Sequence, residues 1–70
     1  MEILAKRLVE LRSKRKLSRR EVAACTGMTE RTYPRYENAE RDPSAPSLLA
    51  LADYYGVSAD YLLGRTEEPG

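Results

Sequence analysis

Apolar and polar positions follow a helical period along this chain, in five blocks separated by Gly, Pro, Ser and Thr. In the first block, Glu2 to Arg15, Leu4, Leu8 and Leu11 recur at i, i+4 and i+7 and form one apolar stripe among charged residues. Ser18 with Glu21 three residues later is a capping box. It predicts a second helix over Arg19 to Thr26, with Val22 and Ala23 inward and Gly27 as its stop. Thr29 caps a third helix, from Glu30 to about Asn38, whose inward residues are Tyr33 and Tyr36. A polar loop, Ala39 to Pro43, leads to Ser44, the cap of a fourth helix. Pro46 sits in its first turn, where a missing N–H costs little; Leu48, Leu51, Ala52 and Tyr55 make its apolar face, and Gly56 ends it. Ser58 caps a short fifth helix, Ala59 to Leu63, closed by Gly64. No segment reads as a strand. The expected fold is all-α, an orthogonal five-helix bundle over residues 1–64, with a polar tail over 65–70 that is expected to fray.

Composition narrows the chemistry. The 70 residues hold neither Trp nor Phe, so five tyrosines supply the aromatic bulk of a small core. One cysteine and no histidine exclude an internal disulfide and a structural zinc site, and no metal or cofactor is expected. Without histidine or a glycine-rich phosphate loop, nothing supplies a nucleophile–base pair, so an enzyme is not expected. No apolar run approaches the roughly 18 residues of a membrane span. The start of the chain, Met1 to Arg7, alternates apolar and charged residues unlike a signal peptide, and the expected location is the cytoplasm. Cys25 reads as a small, buried or half-buried filler on the second helix rather than a redox sensor.

The formal net charge of +1 hides an asymmetry. Residues 1–20 carry eight basic side chains (Lys6, Arg7, Arg12, Lys14, Arg15, Lys16, Arg19, Arg20) against two acids, and the remaining fifty carry four arginines against nine acids. Such a basic end suits a polyanion docking on one face, and a solvated helix surface accounts for it equally well.

The stretch from Ser18 to Asn38 has the physical requirements of a helix-turn-helix. Gly27 tolerates a left-handed turn, and the small Ala23 permits a close helix crossing. Opposite the tyrosines of the third helix, Arg31, Pro34, Arg35 and Asn38 fall at i, i+3, i+4 and i+7 beside Glu30. This polar, partly basic face fits a major groove or an ordinary wet surface.

Motifs in order and spacing over residues 3 to 64 carry a family resemblance. They are Leu8-x-x-Leu11-Arg12, Leu17-Ser18-Arg19-Arg20-Glu21-Val22-Ala23, Thr26-Gly27-Met28-Thr29, Tyr36-Glu37-Asn38, Asp42-Pro43-Ser44, Leu48-Leu49-x-Leu51-Ala52, Tyr55-Gly56-Val57-Ser58 and Asp60-Tyr61-Leu62-Leu63-Gly64. The chain resembles the Xre-type, phage-repressor (Cro and lambda-repressor-like) helix-turn-helix family. The resemblance implies a transcriptional regulator, usually a repressor, that binds a palindromic double-stranded DNA operator as a homodimer. It implies base contacts from Thr29, Glu30, Arg31 and Arg35, and phosphate contacts from Arg19, Asn38 and Arg41. For Glu30, a first-turn acid favoured by the helix dipole is the competing reading. Arg12 and Glu37 match a family pair that forms an internal salt bridge between the first and third helices.

The chain departs from the family at three positions. Pro34, in the fifth position of the recognition helix if Thr29 is its cap, deletes a bond to the Glu30 carbonyl unless the first turn loosens. Ala39 stands where a helix-ending glycine is usual, with Asn38 expected to take the left-handed conformation instead, and Lys16 replaces a common glycine after the first helix. Pro34, Ala39 and the small net charge also fit an alternative, a protein-interaction module of the same fold that has lost DNA binding. Leu62 and Leu63, with Tyr54 and Tyr61 nearby, form the expected self-contact surface, although core packing explains some of them equally well.

Overall fold

Serine hydroxyls cap the starts of three helices, and a left-handed residue follows the end of all five. The computed structural model describes residues 1–70 as α1 (Glu2–Lys14), α2 (Arg19–Thr26), α3 (Thr32–Glu37), α4 (Ala45–Tyr55) and α5 (Ala59–Leu62). Ser18, Ser44 and Ser58 accept the N–H groups of Glu21, Ser47 and Tyr61, and Ser18 with Glu21 forms the complete capping box. At the other ends, Lys16, Gly27, Ala39, Gly56 and Gly64 have φ of 56°, 74°, 58°, 67° and 79°. The residue after each returns its N–H to a carbonyl five residues back: Leu17 to Arg12, Met28 to Ala23, Glu40 to Arg35, Val57 to Ala52 and Arg65 to Asp60. All five helices thus end in the same loop, which satisfies their last carbonyls. Two of the five left-handed residues carry a side chain.

This corrects the expectation for the end of α3. Asn38 keeps a negative φ of −90°, and Ala39 adopts the left-handed conformation. The bond from Glu40 to the Arg35 carbonyl, 2.9 Å, fixes which residue must turn, and the side chain there does not change it.

The start of α3 also differs from the expected Glu30. The Thr29 hydroxyl accepts the Thr32 N–H at 3.0 Å, and the Thr29 carbonyl takes the same N–H at 3.1 Å. Residues 29–31 form a tight turn, and regular helix begins at Thr32. Pro34 is then the third residue of α3, where no intrahelical partner is needed for the N–H it lacks. The loosened first turn removes the conflict, at the expense of length: six residues make a helix of about 9 Å.

The core joins all five helices through Leu4, Leu8, Val22, Ala23, Tyr33, Tyr36, Leu51, Ala52, Tyr55 and Leu62. Fully burying a large apolar side chain contributes about 1.5–3 kcal/mol, so Leu4, Leu8 and Leu51 each secure a helix contact. α1 packs on α3 and α5, α2 on α3 and α4, and α4 on α5. The Tyr33 and Tyr55 hydroxyls meet at 2.8 Å inside this core, which lets two phenols be buried with their polar ends paired.

Three other expectations change. Leu62 is completely buried, because α5 closes over α1 and α4, so it is withdrawn from any self-contact surface; Leu49 on α4, 56% exposed, and Met1 are the large apolar side chains left out. Cys25 is exposed, because Val22, Ala23 and half-buried Thr26 occupy the inward arc of α2. The tail folds back: Arg7 donates to the Thr66 carbonyl at 2.7 Å, and the Ser58 N–H donates to the Pro69 carbonyl at 2.7 Å. No helix is long and apolar enough to cross a membrane.

Candidate nucleic-acid interface

Much of the basic N-terminal charge is spent within the protein. Arg7 donates to the Tyr61 and Thr66 carbonyls and lies over the Tyr61 ring. Arg15 donates to the Tyr54 and Tyr55 carbonyls. Arg12 grips Glu37, with Nε 2.6 Å from Oε2 and Nη2 3.1 Å from Oε1, and also reaches the Leu17 carbonyl. Arginine suits this work, because one planar fork can bridge several oxygens left at helix ends. Three of the eight basic residues in that stretch, Arg7, Arg12 and Arg15, thus fasten helix ends and the tail.

Glu37 is the only charged residue in the interior, with its side chain fully covered. It accepts from Arg12 on one side and from Arg19 Nε, at 3.0 Å, on the other. Burial alone would push its carboxyl up. The Arg12 guanidinium, the Tyr33 hydroxyl and Arg19 outweigh that and hold it below the usual carboxylate range. Arg19 also donates to Asn38 Oδ1 at 3.4 Å, so the start of α2 is tied to the end of α3. Sequence reasoning missed this tether, although a signal existed: Arg19 precedes Val22 and Ala23 by three and four residues, on the inward face of α2. Its side chain remains 43% exposed, which leaves part of the guanidinium facing outward.

With α3 anchored through Tyr33, Tyr36 and Glu37, its opposite side is fixed. Arg31, Arg35 and Asn38 are exposed there, Pro34 is half-buried, and neither guanidinium has an acidic partner or a hydrogen bond within the protein. Thr29 is exposed, with its hydroxyl engaged by Thr32 N–H and the Thr32 hydroxyl. Glu30, also exposed, pairs with Arg20 of α2, with Oε1 2.8 Å from Nε. It is not a first-turn acid, because α3 starts two residues after it. Arg41 is exposed in the loop beyond α3. The expected base-contacting residues Thr29, Glu30, Arg31 and Arg35 thus lie at the start and along the free side of α3. Arg19, Asn38 and Arg41 flank its far end. Arg20 was not singled out from the sequence; only the crossing of α2 over the turn reveals its partner.

Comparison with known proteins agrees with this geometry. Residues 3–63 match the family described as a helix-turn-helix domain. Similar proteins in Bacillus subtilis (strain 168) include the HTH-type transcriptional regulator ImmR, 41% identical over 91% of this chain and 50% of ImmR. The HTH-type transcriptional regulator AnsR is 40% identical over 89% of this chain and 53% of its own length, and the uncharacterized HTH-type transcriptional regulator YobD is 38% identical over 90% and 56%. The chain spans about half the length of the curated relatives it matches. Two capped helices crossing at Ala23 and Gly27, α3 pinned by its tyrosines, and this match over nearly every residue agree: the chain belongs to the helix-turn-helix domain family, of the Xre-like, phage-repressor kind.

Proposed function

We propose that this chain binds double-stranded DNA sequence-specifically as a transcriptional regulator, acting as a repressor with α3 in the major groove. One observation carries the reading: Arg31 and Arg35 stand exposed and unpaired on the free side of a helix whose other side is locked into the core. Thr29, Glu30, Arg31 and Arg35 are the base-reading residues, with the arginines suited to guanine O6 and N7. Arg19, Asn38 and Arg41 hold phosphates and set register without reading sequence. The relatives carry names of transcriptional regulators, which supports the same reading. A homodimer places two copies of α3 in successive major grooves, about 34 Å apart, on a palindromic operator. The protein works in the cytoplasm and uses no catalytic chemistry.

Selection of bound duplexes from a random pool tests this directly. Two inverted half-sites one helical turn apart are expected, with affinity falling steeply in salt. Recovery of unselected sequences, or no retained duplex at low salt, would leave the protein-interaction module as the better account.

A further inference from the structure

Two charged side chains at the front of the groove-facing surface are joined to each other before any ligand is present. Arg20, the second residue of α2, sets Nε 2.8 Å from Oε1 of Glu30, in the turn ahead of α3. Both are largely exposed, 84% and 67%, so burial does not force the pair together. The Glu30 carboxylate accepts no hydrogen bond within the fold. The Thr32 N–H is taken by Thr29, and Glu30 lies outside the first turn of α3, beyond the reach of a helix-dipole role. A bare carboxylate would repel the phosphates of a duplex docked on Arg31 and Arg35. A guanidinium at its side offsets part of that repulsion and draws the carboxylate toward α2. The close contact is to Oε1, and no hydrogen bond within the protein engages Oε2, which leaves it as an acceptor.

We propose that Arg20 is a positioning residue that holds Glu30 so that its free oxygen accepts a hydrogen bond from the exocyclic amine of a cytosine in the major groove, making Arg20 and Glu30 one specificity determinant. A carboxylate accepts from the cytosine N4 amine and finds no donor on the major-groove edge of the paired guanine, so the pair selects by orientation as well as identity. This inference rests on the DNA-binding reading and assigns α2 a part in base choice.

The test uses the 70-residue chain and matched duplexes that differ at one base pair of its selected site. The wild type is expected to favour one orientation of a C·G pair at a single position in each half-site, by roughly 5- to 100-fold. Arg20→Gln and Glu30→Ala are each expected to remove that preference while leaving preferences elsewhere intact. The double variant is expected to discriminate no worse than either single one, because the two side chains act as a unit. Melting temperatures should stay within a few degrees of wild type, since an exposed pair is worth about 1 kcal/mol or less. Uniform weakening of every duplex by Arg20→Gln, with the salt slope reduced by about one, would make Arg20 an independent phosphate contact and overturn the proposal. Retained preference in Glu30→Ala would overturn it equally. A wild-type chain with no base preference at any position would overturn the DNA reading itself, and that outcome is visible before any variant is made.

Discussion

Arg19 Nε stands 3.0 Å from Glu37 Oε1, so an arginine at the half-exposed start of α2 shares one buried carboxylate with Arg12 of α1. A single negative charge thus holds two guanidinium groups and links three helices, with Arg12 the better buried partner. Removing the carboxylate leaves both cations without their acceptor. Glu37→Gln is expected to destabilise the fold by about 3 kcal/mol, and Arg19→Gln by about 1 kcal/mol or less because its side chain is nearly half exposed. Urea unfolding midpoints measure both; equal losses would show that Arg12 does not dominate the pair.

The same carboxylate sets an acid dependence. Although burial opposes its charge, the Arg12 guanidinium and its other partners hold the folded-state pKa of Glu37 below the ordinary value. Its contribution to stability is therefore complete above the unfolded glutamate range, near 4.3, and disappears as pH falls through the lower folded value. Stability measured from pH 6 down to 2 should decline less steeply in Glu37→Gln than in wild type over that window. Parallel curves would place the acid sensitivity elsewhere.

Paired phenols make a second test. Burial pushes the Tyr33 hydroxyl well above the ordinary phenol range, and the Tyr55 hydroxyl is raised as well, so both stay protonated and bonded at 2.8 Å. Tyr33→Phe and Tyr55→Phe are each expected to cost about 1–2 kcal/mol by leaving a buried hydroxyl with one partner fewer. The double variant should cost less than the two losses added together. Strict additivity would mean that the hydroxyls are satisfied independently.

Helix ends offer substitutions of opposite sign. Lys16 and Ala39 occupy left-handed positions that Gly fills elsewhere in this chain, so Lys16→Gly and Ala39→Gly are each expected to stabilise by about 0.5–1 kcal/mol, raising Tm by a few degrees. Gly64→Ala runs the other way. A Cβ there would sit 2.8 Å from Ile3 Cγ1 on a backbone at φ +79°, and a loss of about 1–3 kcal/mol is expected as α5 is pushed from α1. Thermal melts decide all three, and a neutral Ala39→Gly would remove the strain assigned to that turn.

On DNA, Arg31→Ala should weaken binding to the selected site by roughly 5- to 100-fold and relax the choice at one base pair. Arg41→Ala should weaken selected and random duplexes alike and reduce the salt slope by about one. Identical behaviour of the two variants on specific and random duplexes would collapse the division between base and phosphate contacts.

Local physics made most of the helices legible before any coordinates. Ser18 with Glu21, Ser44 with Pro46, and Ser58 act within a few residues of themselves, and the leucine and tyrosine spacings follow from 3.6 residues per turn. The free face of α3 followed from the same arithmetic, because placing Tyr33 and Tyr36 inward leaves Arg31 and Arg35 outward. Other features were decided by contacts between elements distant in sequence. Whether Arg19 meets a carboxylate, whether Arg20 meets Glu30, and whether Leu62 is covered depend on how helices cross, and periodicity carries no information about a partner on another helix. The start of α3 and the identity of its left-handed residue lie between these cases. Pro34 announced a conflict in the sequence, but only the assembled bundle showed that shortening the helix to Thr32, with Ala39 taking the turn, satisfies the backbone while keeping both tyrosines in the core.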